Sequence, residues 1–406
     1  MRRMVFEAAL FAATLLTGSA AAGAAEGPVT IGVLNDMSSL YAAIGGQGSV
    51  IAAQMAADDA GPVLGQKVQI VSADHQNKPD VGAAIARKWY EENGVDMITD
   101  VPTSSVALAV EDVSRELHKL ALFTGPADSD ITGPRCSPYA AHWVYDTYSL
   151  AHVTGSAVVK SGGKSWYFIT ADYAFGHALE RDTAAVVEAE GGKVLGNVNV
   201  PLNTQDFSSF LLQAQASKAQ IIGLANAGGD TVNSIKQGAE FGITQGGQKF
   251  AALLIFLTDV HALGLQTAQR LQLTAPFYWN MNDQTRAWSK RFEAKAGHPP
   301  TFDQAGVYSA VDHYLKAIKA IGTKDPLKVM AEMRKMPIDD FMTHNGKLRI
   351  DGRVIRDMYL FEVKKPSESK GPWDYYKLIE TVPGDKAFRP LDAGHCPLVK
   401  QTAETK

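Results

Sequence analysis

From residue 29 onward, short β-branched apolar runs alternate with longer stretches whose apolar residues recur every three to four positions. Residues 29–34 (VTIGVL) predict a strand buried on both faces, and 49–59 predict a helix. A strand at 68–73, a helix at 79–92 opened by Pro79, a strand at 95–101, a helix at 104–117 and a strand at 120–124 continue the series. A second series follows, with helices at 149–159, 177–190, 207–215 and 231–241 and strands at 165–170, 194–200, 221–225 and 250–257. Strands that are apolar throughout and separated by helices form parallel sheets covered on both faces. The expected class is therefore α/β, with two doubly wound (Rossmann-like) lobes in succession.

The remainder has another rhythm. Residues 283–296 and 302–321 predict two long helices and 325–336 a shorter one. Residues 346–350, 358–363 and 375–381 alternate like antiparallel strands. This is too little for a third core, so the chain is expected to return and complete both earlier lobes. Lobe one is then 26–145 plus 277–345, and lobe two is 146–276 plus 346–400, joined by a hinge of several crossings. Ligands of open α/β sheets lie beyond the C-terminal strand ends. Two such edges facing each other make a cleft.

The N-terminal segment places the chain in a compartment. Arg2 and Arg3 precede an apolar run over 8–16, and small residues fill 18–25. This order predicts a secretory signal over 1–25. The run is too short for a permanent span, and no cysteine follows it to carry a lipid, so a free periplasmic protein without a direct membrane anchor is expected. Of 406 residues, 46% are hydrophobic and the net charge is only −4, which leaves no basic field for nucleic acid. The two cysteines, Cys136 and Cys396, invite a disulfide in an exported chain, the alternative being two free thiols.

Candidate chemistry gathers at the strand-to-helix junctions. In the first series these are residues 35–41 leading to Gly45, Gly46 and Gly48, then Pro102-Thr103-Ser104-Ser105, then 124–128. Free N–H groups at a helix start attract anions. At any one junction the hydroxyls are adequately explained as helix caps; three on one sheet edge suggest a cradle for a carboxylate. The second series offers Tyr173 and Phe175 within 170–176, then 226–230 and 258–261. Aromatic rings there either clamp a flat ligand or pack the lobe margin.

The segments IGVLNDMSSLYAAIGGQG, VPTSS, TGPADSD, TADYAFG and ANAGGD, in this order and spacing, resemble the branched-chain amino-acid-binding (Leu/Ile/Val-binding) family of type I periplasmic binding proteins. The resemblance implies a solute-binding protein that closes about a hinge and delivers its solute to the permease of an ABC importer. It implies that Thr103, Ser104 and Ser105 hold the ligand carboxylate, and that Gly125 and Ala127 supply further contacts. It also implies that Tyr173 or Phe175 packs on the ligand, and that Asp259 meets an ammonium group. Ala127 stands where a hydroxyl residue is common, and Asn226 also departs from the family pattern. The expected solute is a small carboxylate-bearing compound, an amino acid or, given these departures, an aromatic, hydroxy or keto acid, and the superfamily also has members that bind small amides. Tyr41, Trp143, Tyr173, Tyr278 and Trp279, all expected near the cleft edges, would suit an acid with a flat or apolar body. A monomer with no cofactor and no metal is expected.

Enzyme motifs are fragmentary. Gly163-Lys164-Ser165 resembles the end of a phosphate-binding loop but lacks its first glycine, since Val158 takes that place. Ser161 to Lys164 matches S-x-x-K without its partner motifs. His142, His177 and His261 are expected to be structural. A periplasmic ligand sensor is the alternative reading, and a periplasmic hydrolase is a weaker one.

Overall fold

A computed structural model describes residues 27–399; the expected signal segment lies outside the described residues. Strands β1 (Thr30–Asn35), β2 (Gln69–Asp74), β3 (Met97–Asp100), β4 (Leu120–Phe123) and β5 (Ala140–His142) form one parallel sheet in the order β2-β1-β3-β4-β5. β6 (Ser165–Ala171), β7 (Lys193–Val200), β8 (Ile221–Ala225) and β9 (Lys249–Ala252) form a second, in the order β7-β6-β8-β9. β1, β3, β4 and β8 are buried along their whole length. That burial explains their unbroken apolar character, because helices cover both faces. The α/β expectation is met.

The later part of the chain returns to both sheets. Helix Phe302–Ile321 packs along helix Gly46–Ala60, and helix Pro326–Lys335 packs on the former. The approach is close: a side chain at Gly48 would collide with Gln304. Caps set the lengths of the late helices. Thr301 and Asn282 accept from the third helical N–H, and Gly322 and Gly297 end the helices at φ of 70° and 81°. β10 (Gln272–Ala275), β13 (Met358–Val363) and β14 (Tyr376–Val382) make an antiparallel sheet. β11 (Lys347–Leu348) and β12 (Val354–Ile355) make a short hairpin.

Some local expectations need correction. β5 and β10 were not foreseen, because each is a short strand with little alternation. The apolar run 250–257 is a strand only to Ala252, and helix Leu257–Leu263 follows after a loop. Cys136 and Cys396 are bonded, with S–S 2.02 Å, which ties the loop before β5 to the C-terminal end of the described chain.

Candidate functional site

The site begins with Asp36, directly after β1. Its carboxylate accepts from the backbone N–H groups of Ser39 at 2.9 Å and Tyr41 at 2.8 Å, and from Asn77 Nδ2 at 2.7 Å. Burial works to raise its pKa, but the bonds from Tyr41, Asn77 and Ser39 outweigh this and hold it below the usual carboxylate range. The turn so formed carries Tyr41 toward the second sheet. There the hydroxyls of Tyr41 and Tyr173 meet at 2.6 Å, and Tyr173 immediately precedes helix Ala174–Ala189. Gly228 presses onto the same turn. A Cβ there would lie 3.0 Å from Leu40 O and 3.2 Å from the Tyr41 ring, and its φ is +59°. Only glycine meets both conditions without strain.

These contacts draw the C-terminal ends of the two parallel sheets together around a nearly shut cavity of about 10 Å³. Tyr41, Ile44, Pro102, Gly125, Ala127 and Tyr145 line it from the first sheet's side. Tyr173, Phe175, Ala227, Leu254 and Phe256 line it from the second. No charged side chain is among them. Burial pushes the phenol pKa values of Tyr41, Tyr145 and Tyr173 up, so all three stay neutral hydrogen-bonding groups. Tyr145 donates to Gly125 O at 2.6 Å, and its ring meets Phe302 edge-on at 5.2 Å. Phe302 stacks on Phe256 at 4.4 Å. A wider groove of about 370 Å³, lined by Lys249 and Arg270 among others, lies at the opposite, N-terminal ends of β8 and β9, away from where open α/β sheets bind ligands.

Of the residues singled out by sequence, Tyr41, Gly125, Ala127, Tyr173 and Phe175 come together in this lining. Thr103, Ser104, Ser105, Asn226 and Asp259 do not line it, and for four of them the geometry gives a reason. Thr103 donates its hydroxyl to Asn77 Oδ1. Ser104 Oγ accepts from the N–H groups of Ala127 and Asp128, each at 3.2 Å, and so frames the loop that lines the cavity. Asn226 joins Thr231 at 2.7 Å and Ser234 at 3.1 Å inside its own helix start. Asp259 accepts from Phe256 N–H at 2.9 Å, and burial raises its pKa to about 7. Ser105 is half-buried at the second position of its helix.

Three aromatic residues lie elsewhere. Trp143 is buried and donates to Ser309 at 2.9 Å, while Tyr278 and Trp279 both donate to Trp373 O at 2.9 Å. The histidines have structural partners: His142 Nε2 with Pro126 O, His177 with Asp172, and His261 with Tyr375. Sequence reasoning missed Ile44, Tyr145, Leu254 and Phe256, and Pro102 and Ala227 were read only as parts of their junctions. Polar junction residues were the cue, and the lining is mostly apolar.

The helices starting at Gly46, Ser104, Ala174 and Gly229 each begin within three residues of a lining residue and have no side-chain cap. The helix at Thr147, two residues after Tyr145, is capped by Asp146, and uncapped starts also occur away from the cavity, at Pro79 and Ser208. The N–H groups and dipoles of the four uncapped starts beside the cavity favour negative charge.

The periplasmic binding protein family model matches residues 28–371. Leu/Ile/Val-binding protein homolog 6 of Brucella melitensis is 25% identical, over 91% of this chain and 96% of its own length. A periplasmic binding protein from Burkholderia mallei is 54% identical with a TM-score of 0.90, covering 91% of this chain and 99% of that one. A branched chain amino acid ABC transporter periplasmic ligand-binding protein from Burkholderia xenovorans is 44% identical with a TM-score of 0.81, covering 91% and 99%. With two facing parallel sheets and a cavity between their C-terminal edges, the chain belongs to the periplasmic binding proteins, the solute-binding components of ABC transporters.

Proposed function

We propose that this protein captures a small carboxylate-bearing solute with a flat or apolar body, an aromatic, hydroxy or keto acid in preference to an α-amino acid. Acting as a single chain, it hands that solute to the permease subunits of an ABC importer in the periplasm. Lobe one (26–145 with 277–345) and lobe two (146–276 with 346–400) close over the solute as Tyr41 and Tyr173 meet. One observation carries the reading: an uncharged, aromatic-rich cavity is bordered by uncapped helix starts. Rings suit a flat body, and free N–H groups suit a carboxylate. Asp259, the residue considered for an ammonium group, is occupied with Phe256 N–H. Solute-binding proteins from R. palustris have been crystallised in complex with benzoate and with 4-hydroxybenzoate, which supports the choice of probes.

Calorimetric titration with benzoate, 4-hydroxybenzoate and leucine tests the proposal. The aromatic acids are expected to bind and leucine to bind weakly or not at all. Tighter binding of leucine would refute the solute class.

A further inference from the structure

Behind the first-sheet wall of the cavity lie two carboxyl groups that the solute reading does not use. Asp100 ends β3, and Asp303 is the second residue of helix Phe302–Ile321. Both are fully buried. Asp100 Oδ2 accepts from Asn35 Nδ2 at 2.8 Å, while Asp100 Oδ1 and both oxygens of Asp303 find no donor among the described residues. A Cβ on Gly45 would sit 2.9 Å from Asp100 Oδ2, 3.2 Å from Ser49 Oγ and 3.3 Å from Asp303 Oδ2, so the two carboxyl groups crowd a single point. Ionised carboxylates only accept hydrogen bonds. Two of them in contact, with no cation, are stable only when one carries a proton that both can use.

The surroundings offer no other neutralisation. β1 contributes the Asn35 amide. The next carboxylate along, Asp36, is turned to Ser39, Tyr41 and Asn77. Helix Gly46–Ala60 contributes the Ser49 hydroxyl, and the end of β4 contributes Thr124. The one further titratable group facing both acids is the Tyr145 phenol, itself kept neutral by burial. No Lys, Arg or His is among the groups acting on either carboxyl. Burial raises the Asp100 pKa to about 6, and burial together with the Asp100 charge raises that of Asp303 well above the usual range.

The pair touches the cavity wall through its neighbours. Asp100 O accepts from Gly125 N–H at 3.3 Å, and a Cβ on Gly125 would lie 2.9 Å from Asp100 Oδ1. Pro102 follows two residues after Asp100. Asp303 is flanked by Phe302, which packs on Tyr145 and Phe256, and by Gln304, which donates to Gly45 O at 3.0 Å. Asp100 and Val101 adopt φ of +78° and +57°, a left-handed turn that is costly outside glycine and must be held by its surroundings.

We propose that Asp100 and Asp303 share one proton and act as positioning residues for the solute cavity, keeping Pro102, Gly125 and Phe302 in the closed wall only while that proton is bound. A carboxyl whose folded pKa is raised stabilises the fold fully below its ordinary pKa and ceases to do so as pH rises through the folded value. Stability therefore begins to fall as pH rises past the ordinary carboxylate pKa, and solute affinity falls once the shared proton leaves, at the more strongly raised Asp303. Only the affinity arm of the test rests on the proposed solute.

The full chain is tested in metal-free buffer between about pH 5 and about pH 8, the range in which such linkage is read. In the wild type, Tm is expected to fall as pH rises, and the infrared spectrum is expected to show the carbonyl stretch of a protonated carboxyl. Asp303→Asn, neutral at every pH, should weaken that band and reduce the Tm slope, the remainder coming from Asp128, Asp230, Asp259 and Glu111, whose pKa values burial also raises. Asp100→Asn provides the same reading if the first variant folds poorly. Affinity for 4-hydroxybenzoate should fall by up to about tenfold per pH unit in the wild type and be level in Asp303→Asn. Equal pH slopes in wild type and variants, or absence of the protonated-carboxyl band, would overturn the shared proton. So would a wild-type Tm that rises with calcium and falls with chelator, which would assign the oxygens to a cation. A Tm slope with level 4-hydroxybenzoate affinity would overturn the positioning role. If that acid does not bind at any pH, the proposed solute class fails, and the infrared and Tm profiles still decide the pair.

Discussion

Tyr173→Phe isolates the contact that closes the cleft. The Tyr173 hydroxyl meets Tyr41 at 2.6 Å, and the two residues follow strands of different sheets. Removing it deletes one hydrogen bond of the closed form and leaves the Tyr41 hydroxyl, in a side chain only 3% exposed, without that partner. Loss of a bond that strands a buried hydroxyl costs about 1–3 kcal/mol. In the open form water satisfies both hydroxyls, so nearly all of this cost falls on closure. A value of 1–2 kcal/mol lowers the closed-to-open ratio by about 5–30-fold. Apparent solute affinity falls by the same factor, because only the closed form holds the solute on both sides. Small-angle scattering of the unliganded protein measures the first quantity, and titration with 4-hydroxybenzoate measures the second. Tyr145→Phe is the control. Its hydroxyl is bonded to Gly125 O on the same side of the cavity, so that variant should lose stability without opening the cleft. A Tyr173→Phe protein with unchanged scattering and affinity within about twofold of wild type would refute the argument, since the bond would then contribute less than about 0.5 kcal/mol.

Other outcomes follow from the same geometry. Ser104→Ala strands two buried N–H groups and should destabilise the fold by about 2 kcal/mol in chemical denaturation, whereas Ser105→Ala should leave stability within about 0.5 kcal/mol. Asp259→Asn should retain 4-hydroxybenzoate affinity. It should also remove a loss of stability that the wild type shows as pH rises through about 7, read as Tm against pH, because burial raises this carboxyl. Opening the Cys136–Cys396 bond, which spans 260 residues of chain, should cost up to about 5 kcal/mol, seen as a lower Tm in Cys136→Ser and in reduced wild type.

The fold was legible wherever burial on both faces writes itself as an unbroken apolar run. Helices Asp283–Ala296 and Phe302–Ile321 and strand Ile221–Ala225 fall where the pattern puts them. β5 and β10 escaped because three or four residues show no period, and they exist only through tertiary pairing. The run at 250–257 misled for a related reason: Leu253 to Phe256 are apolar because they lead into the cavity, and β9 has already ended. At the site, the small polar residues mark the junctions in sequence, while what each of them touches is visible only in the fold. Ser104 and Asn226 look the same in sequence whether they hold a ligand or hold the loop, and in the structure each bonds within its own junction. Tyr145 and Phe256 sit outside the polar junctions, and only the meeting of two sheets places them in the lining.

The return of helix Phe302–Ile321 to cover helix Gly46–Ala60 has a consequence for anyone wishing to dissect this molecule. A fragment cut after His142 would carry its complete five-stranded sheet yet lack the helix that shields one side of it. The remaining fragment fares no better, since helix Phe302–Ile321 would expose the face it buries on helix Gly46–Ala60. Neither half can mature alone, and contacts so distant along the chain are made slowly. The closing disulfide comes last of all, because Cys136 finds its partner only when the final turn of the described chain has been added.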